Sequence, residues 1–366
     1  MSMVAAIRKR VVEEDNHLSD EVFAEGLALA TILPGPVAVN VAAWSGYLLA
    51  GLVGALIAVT AVLLPSFLIM VFLFFSLQWA SQLMNLGLIT FLVSGVAFGL
   101  ILSAGIQSTK KTLQSSSRIF VFSISLVVLF FFPGYWVILM LIACWSALGQ
   151  LIKTDSPQPE SVKFSITGHK ATNLLLAALI LGGIVSTGHW FFLSDVFSQF
   201  TRISLTLFGG GYVVVPILDS VLVEELRWIS RDDLLMGISL GQLTPGPLLI
   251  SAVYFGQKIS GITGAFAALA GMFFPAALLM IICGHFMSGI RSSKAYNKAV
   301  YLILPFVASL IVFASLSILR SAWPAQKDPL LFVWWGLCFA SIHFFKVRPV
   351  FLIGLAIGAA LLTLAF

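Results

Sequence analysis

The sequence predicts an all-α polytopic membrane protein of about twelve transmembrane spans, arranged as two inverted-topology repeats with broken Pro-Gly-Pro helices. Three observations lead there. Hydrophobic residues make up 60% of the 366 residues and charged residues only 10%, with a mean hydropathy of +1.05; a soluble domain carries about 25% charged residues. Apolar runs long enough to cross a bilayer recur from end to end. The motif Pro-Gly-Pro occurs at 34–36 and again at 245–247, each time inside such a run.

Residues 1–20 are polar and carry Arg8-Lys9-Arg10 followed by acidic residues, with no apolar stretch behind them like that of a signal peptide. The first apolar segment, 21–49, is read as one span interrupted by Pro34-Gly35-Pro36. Proline lacks the N–H and pushes the residue before it out of the helical region, so a helix cannot run through. Spans follow at 52–77, which contains Pro65, and at 84–106. Lys110, Lys111 and Arg118 mark a polar loop, after which 119–132 and 135–152 meet at Pro133-Gly134 as a helical hairpin. The first repeat is therefore 1–152 and the polar stretch 153–172 a cytoplasmic linker. The second repeat, 173–366, has spans expected at 173–193, 197–218, 234–257, 261–284, 299–319, 330–345 and 349–366, with a charged loop at 219–233.

The repeats align residue by residue. Glu13-Glu14 meets Glu224-Glu225, Ser19 meets Ser230, Gly26 meets Gly237, and the two Pro-Gly-Pro motifs coincide without a gap. After one gap, Gly51 and Gly54 meet Gly261 and Gly264, and Pro65 meets Pro275. The span carrying Gly209-Gly210-Gly211 has no counterpart before the first motif, so the first repeat is read as lacking its first span. Letting the spans alternate sides puts most lysines and arginines, Lys110, Lys111, Arg118 and Lys153 among them, on one face. That face is read as cytoplasmic. Residues 19–29 then begin outside and 230–240 inside, which leaves Arg8-Lys9-Arg10 on the wrong side.

Inside a membrane a broken helix persists only where it is buried in protein or lines a cavity. Half-helices starting at Pro36 and Pro247 leave the N–H groups of Val37, Ala38, Leu248 and Leu249 without intrahelical acceptors, at the positive end of the helix dipole. That is an anion site made without a basic side chain. The substrate-binding candidates are Pro34, Gly35, Pro36 and Asn40 in the first repeat, and Thr244, Pro245, Gly246, Pro247 and Ser251 in the second. Asn40 and Ser251 stand four residues past their prolines, on the same helix face. Phe208, Gly209, Gly210 and Gly211 join them, because a glycine run lets backbones approach closely or unwinds a helix. Its spacing fits no nucleotide-binding loop.

Glu25, about two turns before Pro34, is the proton-coupling candidate. Arg202 is the candidate anion guide, although an arginine near a span end also snorkels to the headgroups. Cys144, Cys283 and Cys338 lie singly in apolar segments, and His189, His285 and His343 have unrelated spacings, so no metal site is expected. The spans carry no paired carboxylates, no His-Glu metal motif and no Ser/Lys dyad; no catalytic residue, cofactor or enzyme activity is expected. The net charge of +5 is explained by cytoplasmic lysine and arginine without a nucleic-acid partner.

At these residues the chain resembles the chromate ion transporter family. The matching elements are Phe208-Gly209-Gly210-Gly211-Tyr212, the run Glu224 to Asp233 around Trp228 and Ser230, and Thr244-Pro245-Gly246-Pro247. Leu18-Ser19-Asp20-Glu21-Val22-Phe23, leading to Leu33-Pro34-Gly35-Pro36, is similar as well. The resemblance implies a two-domain carrier of the bacterial inner membrane that exports chromate, confers resistance, and draws on the proton-motive force. The residues alone reach only the class of substrate, since chromate and sulfate are tetrahedral dianions of similar size. Partners are thus chromate or a related oxyanion such as sulfate and the lipid bilayer, with a homodimer left open. An anion channel and an intramembrane enzyme are the alternatives.

Overall fold

The computed structural model describes residues 3–80, 86–132, 134–151, 194–207, 214–244, 246–285, 294–325 and 331–362. Every regular element among them is helical. In chain order these are α1 (Met3–Arg8), α2 (Asp20–Ile32), α3 (Val37–Ala80), α4 (Leu86–Thr112), α5 (Ser116–Phe131) and α6 (Tyr135–Leu151). Then come α7 (Ser194–Leu205), α8 (Val214–Leu218), α9 (Arg231–Leu243), α10 (Ser251–His285), α11 (Lys294–Ala325), α12 (Leu331–His343) and α13 (Pro349–Leu362). Among the described residues four stretches, Val37–Trp79, Phe91–Thr112, Leu248–Gly284 and Tyr301–Arg320, are long and apolar enough to cross a membrane. The chain is a multi-pass membrane protein.

The helices α2 and α9 have 13 residues each. At 1.5 Å per residue that is about 20 Å, short of a hydrocarbon core of about 30 Å. Each starts on a serine cap: Ser19 Oγ accepts from the Val22 N–H at 3.3 Å, and Ser230 Oγ from the Asp233 N–H at 3.1 Å. Each stops because a proline follows; Leu33 and Thr244 both sit in the extended region (ψ 151 and 141).

The next helix doubles back. A methyl group on Gly26 would run into the Trp44 indole. These two residues lie equally far before and after Gly35, so α2 and the first arm of α3 are antiparallel with Pro-Gly-Pro at their tip. Gly237 meets Tyr254 and Phe255 in the same way around the second motif. A second reversal follows at Ala50-Gly51, where Gly51 has φ 64, and at Ser260-Gly261, where Gly261 has φ 64. Gly46 packs on the backbone of Gly54, and Gly256 on that of Gly264, pairs a straight helix would hold about 12 Å apart. The left-handed φ at Gly51 and Gly261 is one an L side chain rarely adopts. The stretch 21–49 is therefore folded as two antiparallel arms, and so is 234–257. Helical periodicity is the same in either direction, so the apolar pattern does not separate this from a single crossing.

The likeness of the repeats extends to the backbone. A π-helical stretch precedes each hairpin, Lys9–Glu14 and Asp219–Glu225. After the first, the N–H groups of Asp15, His17 and Leu18 reach Arg10, Val11 and Val11; after the second, those of Leu226, Trp228 and Ile229 reach Val221, Leu222 and Leu222. Asn16 and Arg227, in register, both have positive φ (51 and 55).

The long second arms of α3 and α10 pack antiparallel at the centre. Leu52 and Ala55 lie beside Ile281, while Phe67 meets Phe266 with ring centroids 4.6 Å apart. Around them α4 ties the remaining helices together: Trp334 and Trp335 donate to the Leu92 and Phe91 carbonyls (2.8 and 3.2 Å), and Ser239 to Val93 (3.3 Å). His343 bonds Ser103 at 3.0 Å. The hairpin expected from Pro133-Gly134 closes through the Trp145 indole N–H to Ser125 Oγ at 2.9 Å.

Candidate functional site

Each Pro-Gly-Pro tip is seated on the long helix of the other repeat. A methyl on Gly35 would strike Ala276 in α10, and one on Gly246 would strike Ser66 in α3. Ser66 and Ala276 occupy equivalent positions, each one past its helix proline, Pro65 and Pro275. Both tips are thus packed against the α3–α10 pair.

Pro34, Gly35, Pro36 and Asn40 are buried, Asn40 to 0% exposure. The Gly35 N–H donates to the Leu207 carbonyl at 2.8 Å, which brings the residue before Phe208 to the first tip. Asn40 Nδ2 donates to the Pro34 carbonyl at 3.1 Å and braces the loop, while its Oδ1 is buried without a partner among the described residues. The Pro36 carbonyl accepts from Val39 and Asn40, both at 3.0 Å, and the Pro247 carbonyl from Ile250 at 2.9 Å. The prolines are therefore caps, and the helices start one residue later than expected, at Val37 and, through a 3-10 turn, at Leu248. Val37, Ala38, Leu248 and Leu249 head their helices.

The second tip differs in detail. Gly246 lacks the left-handed backbone that Gly35 has (φ 101); its N–H donates to Thr244 at 2.8 Å, and steric contact with Ser66 is what excludes a side chain. Thr244 Oγ1 donates to the Gly241 carbonyl at 2.9 Å. Thr244 and Ser251 are buried, Gly246 and Pro247 half-buried. Close by, Gln242 Nε2 has no partner among the described residues. Phe208, Gly209, Gly210, Gly211 and Pro245 lie outside the described residues.

The two ionisable candidates stand apart from the tips. Glu25 is half-buried on α2. Arg202 makes a two-pronged ion pair with Glu225 (3.1 and 3.2 Å), and its guanidinium lies 3.8 Å from the Tyr135 ring centroid. That engagement explains how an arginine is held within α7. Among the described residues no group of histidines, cysteines and carboxylates could hold a metal ion.

The sequence reading missed a polar cavity of about 190 Å³ where the π-helical stretch, α9 and α11 meet. Asp219, Ser220, Glu224, Arg231, Ser317 and Arg320 line it. Arg231 pairs with Asp219 (3.2 Å) and Glu224 (2.9 Å). Burial pushes the Asp219 carboxyl above the usual carboxylate range against the pull of Arg231; Glu224 is raised by burial and then by the charge of Asp219. The signal was present in the aligned repeats: Asp219 and Arg231 are in register with Arg8 and Asp20, which form the same bridge at 2.8 Å with the charges exchanged.

The profile of the chromate transporter family matches residues 1–149 and 194–363. An uncharacterized transporter of Methanocaldococcus jannaschii is 26% identical over 84% of this chain and 77% of its own length. A chromate transport protein of Cupriavidus metallidurans is 27% identical over 77% of this chain and 69% of its own. One of Pseudomonas aeruginosa is 24% identical over 94% and 82%. No solved structure matches. With the profile spanning most of its length, this chain belongs to the chromate transporter family.

Proposed function

We propose that this chain is a secondary transporter that moves chromate, a divalent tetrahedral oxyanion, out of the cytoplasm across the bacterial inner membrane, driven by the proton-motive force and giving chromate resistance. The observation that carries this reading is the seating of Gly35 on Ala276 and of Gly246 on Ser66. On this reading the backbone N–H groups that head the helices after each Pro-Gly-Pro face inward from opposite sides, within a pair of inverted repeats. A carrier for an anion needs such donors at the midplane without the cost of an unpaired buried cation.

The doubled-back hairpins also revise the sidedness. With both ends of each hairpin on one face, Arg8, Lys9 and Arg10 join the side rich in lysine and arginine, and Arg227 and Arg231 leave it. The first hairpin then enters from the cytoplasm and the second from outside, the reverse of the expectation from alternating spans. On this sidedness Arg8-Lys9-Arg10 no longer lies on the wrong face. Outward movement of a dianion is favoured by an inside-negative potential, by about 4.6 kcal/mol per 100 mV, twice the value for one charge. The electrical part of the proton-motive force therefore suffices for export.

Uptake of labelled chromate and sulfate into everted vesicles tests the reading. Saturable chromate accumulation that collapses with the imposed gradient is expected. Accumulation of sulfate alone would make the chain a sulfate carrier, and flux that does not saturate with chromate concentration would make it a channel.

A further inference from the structure

The cavity between Arg231 and Arg320 is distinct from the helix tips, and its charges are arranged for a task that ion pairing alone does not explain. Arg231 is the first residue of α9, at the positive end of the helix dipole, where a cation is disfavoured. The equivalent first residue of α2 is Asp20, the favoured sign. The second repeat thus keeps the same bridge with the polarity that is locally worse, a conflict of the kind found at functional positions. Arg320 comes from α11, with its guanidinium 5.8 Å from the Phe130 ring centroid; it is within electrostatic reach of Glu224 but makes no direct ion pair among the described residues.

The cavity therefore holds two carboxylates and two guanidinium groups. Asp219 and Glu224 both lean on Arg231, and their side chains are 16% and 35% exposed. The other charges of the adjoining elements are already engaged: Glu225 with Arg202 beside Tyr135, and Asp233 with Lys258 at 3.1 Å. Asp232, next to Arg231, is exposed. At about 30 Å³ per water, the space admits a tetrahedral oxyanion with part of its hydration shell. Ser220 and Ser317 add hydroxyl groups to the wall.

We propose that this cavity is an oxyanion-binding vestibule, in which Arg231 and Arg320 take a divalent tetrahedral oxyanion when Asp219 or Glu224 accepts a proton. With both carboxylates ionised, the charges of the four groups cancel and Arg231 is occupied. One proton leaves the cavity net positive and frees part of the Arg231 fork for the anion, because guanidinium matches such oxygens with paired N–H donors. By linkage, anion binding and proton uptake then strengthen each other. The proposal rests on the reading of the chain as an oxyanion carrier, and equilibrium binding tests it apart from transport.

The experiment is calorimetric titration of sodium sulfate, which stays divalent throughout, into the purified full chain in detergent. Sulfate affinity should rise about tenfold as the pH falls from about 8 to about 5. Asp219→Asn should bind at about pH 8 as tightly as the wild type does at about pH 5. Arg320→Gln, which breaks no ion pair, should weaken binding about tenfold. Lys258→Gln, outside the cavity lining, should retain wild-type sulfate binding. Affinity independent of pH, or unchanged binding in Arg320→Gln, would each overturn the proposal by assigning the sulfate to the helix tips.

Discussion

The two hairpins share a backbone and differ in chemistry. The serine cap, the π-helical stretch, the positive φ at Asn16 and Arg227 and the reversal at Gly51 and Gly261 recur in both repeats. What differs is the sign of the Arg8–Asp20 and Asp219–Arg231 bridges, the left-handed Gly35 against the ordinary Gly246, and the cover on the long helices. The apolar window of α3 is 28% buried and that of the α10 stretch 56%. The reason is α7: Phe197 and Phe200 pack on Gly271, and Ser204 donates to the Met272 carbonyl at 2.6 Å. Ala61, the counterpart of Gly271, is exposed. Backbone geometry is thus fixed by a few caps, prolines and glycines, while side chains at the same positions are free to specialise the two faces.

The largest expected effect is at the tips. Gly35→Ala combines a left-handed backbone, costing about 1–2 kcal/mol by itself, with collision against Ala276. Chromate transport should be lost while the protein still inserts. Gly246→Leu should also abolish transport, through Ser66 alone. Because Gly246 has no strained φ, a paired Ser66→Gly change should restore part of its activity and an Ala276→Gly change should not rescue Gly35→Ala fully. Equal rescue at both tips would erase the distinction drawn between them.

Next is Asn40. Asn40→Ala removes the brace to Pro34 and should reduce transport and stability by about 1 kcal/mol, while Ser251→Ala should do less. An equal loss in both would mean that the side chains serve the substrate alike and that the loop brace is irrelevant.

The charge exchange gives a smaller, pH-dependent effect. Since the folded state holds Asp219 above its usual pKa, its ionisation opposes folding; the stability it lends is present in acid and lost as the pH rises through its folded value. Asp219→Asn should therefore raise Tm at about pH 7.5, with the gain shrinking toward about pH 4. A gain that grows in acid would reverse the sign of the burial effect. Smallest of all, Lys258→Gln breaks a half-exposed pair with Asp233 and should cost at most about 1 kcal/mol, with transport little changed.

The all-helical, multi-pass membrane character was legible in the residues. Pro-Gly-Pro has a local physical consequence, and its duplication set the register. The doubling back was not legible from hydropathy, because an apolar arm looks the same whichever way it runs. Its signs were steric and electrostatic: glycine opposite a ring at Gly26 and Trp44, glycines flanking Ala50-Gly51, and the misplaced Arg8-Lys9-Arg10. The exchanged bridge was hidden because the alignment was read for identities, and a swap of Arg and Asp scores as two mismatches. Leu207, just before the glycine run, accepts from the Gly35 N–H at the first tip, a contact between distant parts of the chain that spacing does not reveal.

The central claim, two doubled-back hairpins entering from opposite faces, is tested most directly by labelling single cysteines with a membrane-impermeant maleimide. In a background with Cys144, Cys283 and Cys338 replaced by serine, the positions are Glu21→Cys and Leu49→Cys at the two ends of the first hairpin, and Asp232→Cys and Lys258→Cys at those of the second. Glu21→Cys and Leu49→Cys should both react only in everted vesicles, and Asp232→Cys and Lys258→Cys only in intact cells. Labelling of Glu21→Cys and Leu49→Cys from opposite sides would restore a single crossing at 21–49 and contradict the hairpins. All four labelled from one side would contradict the inversion.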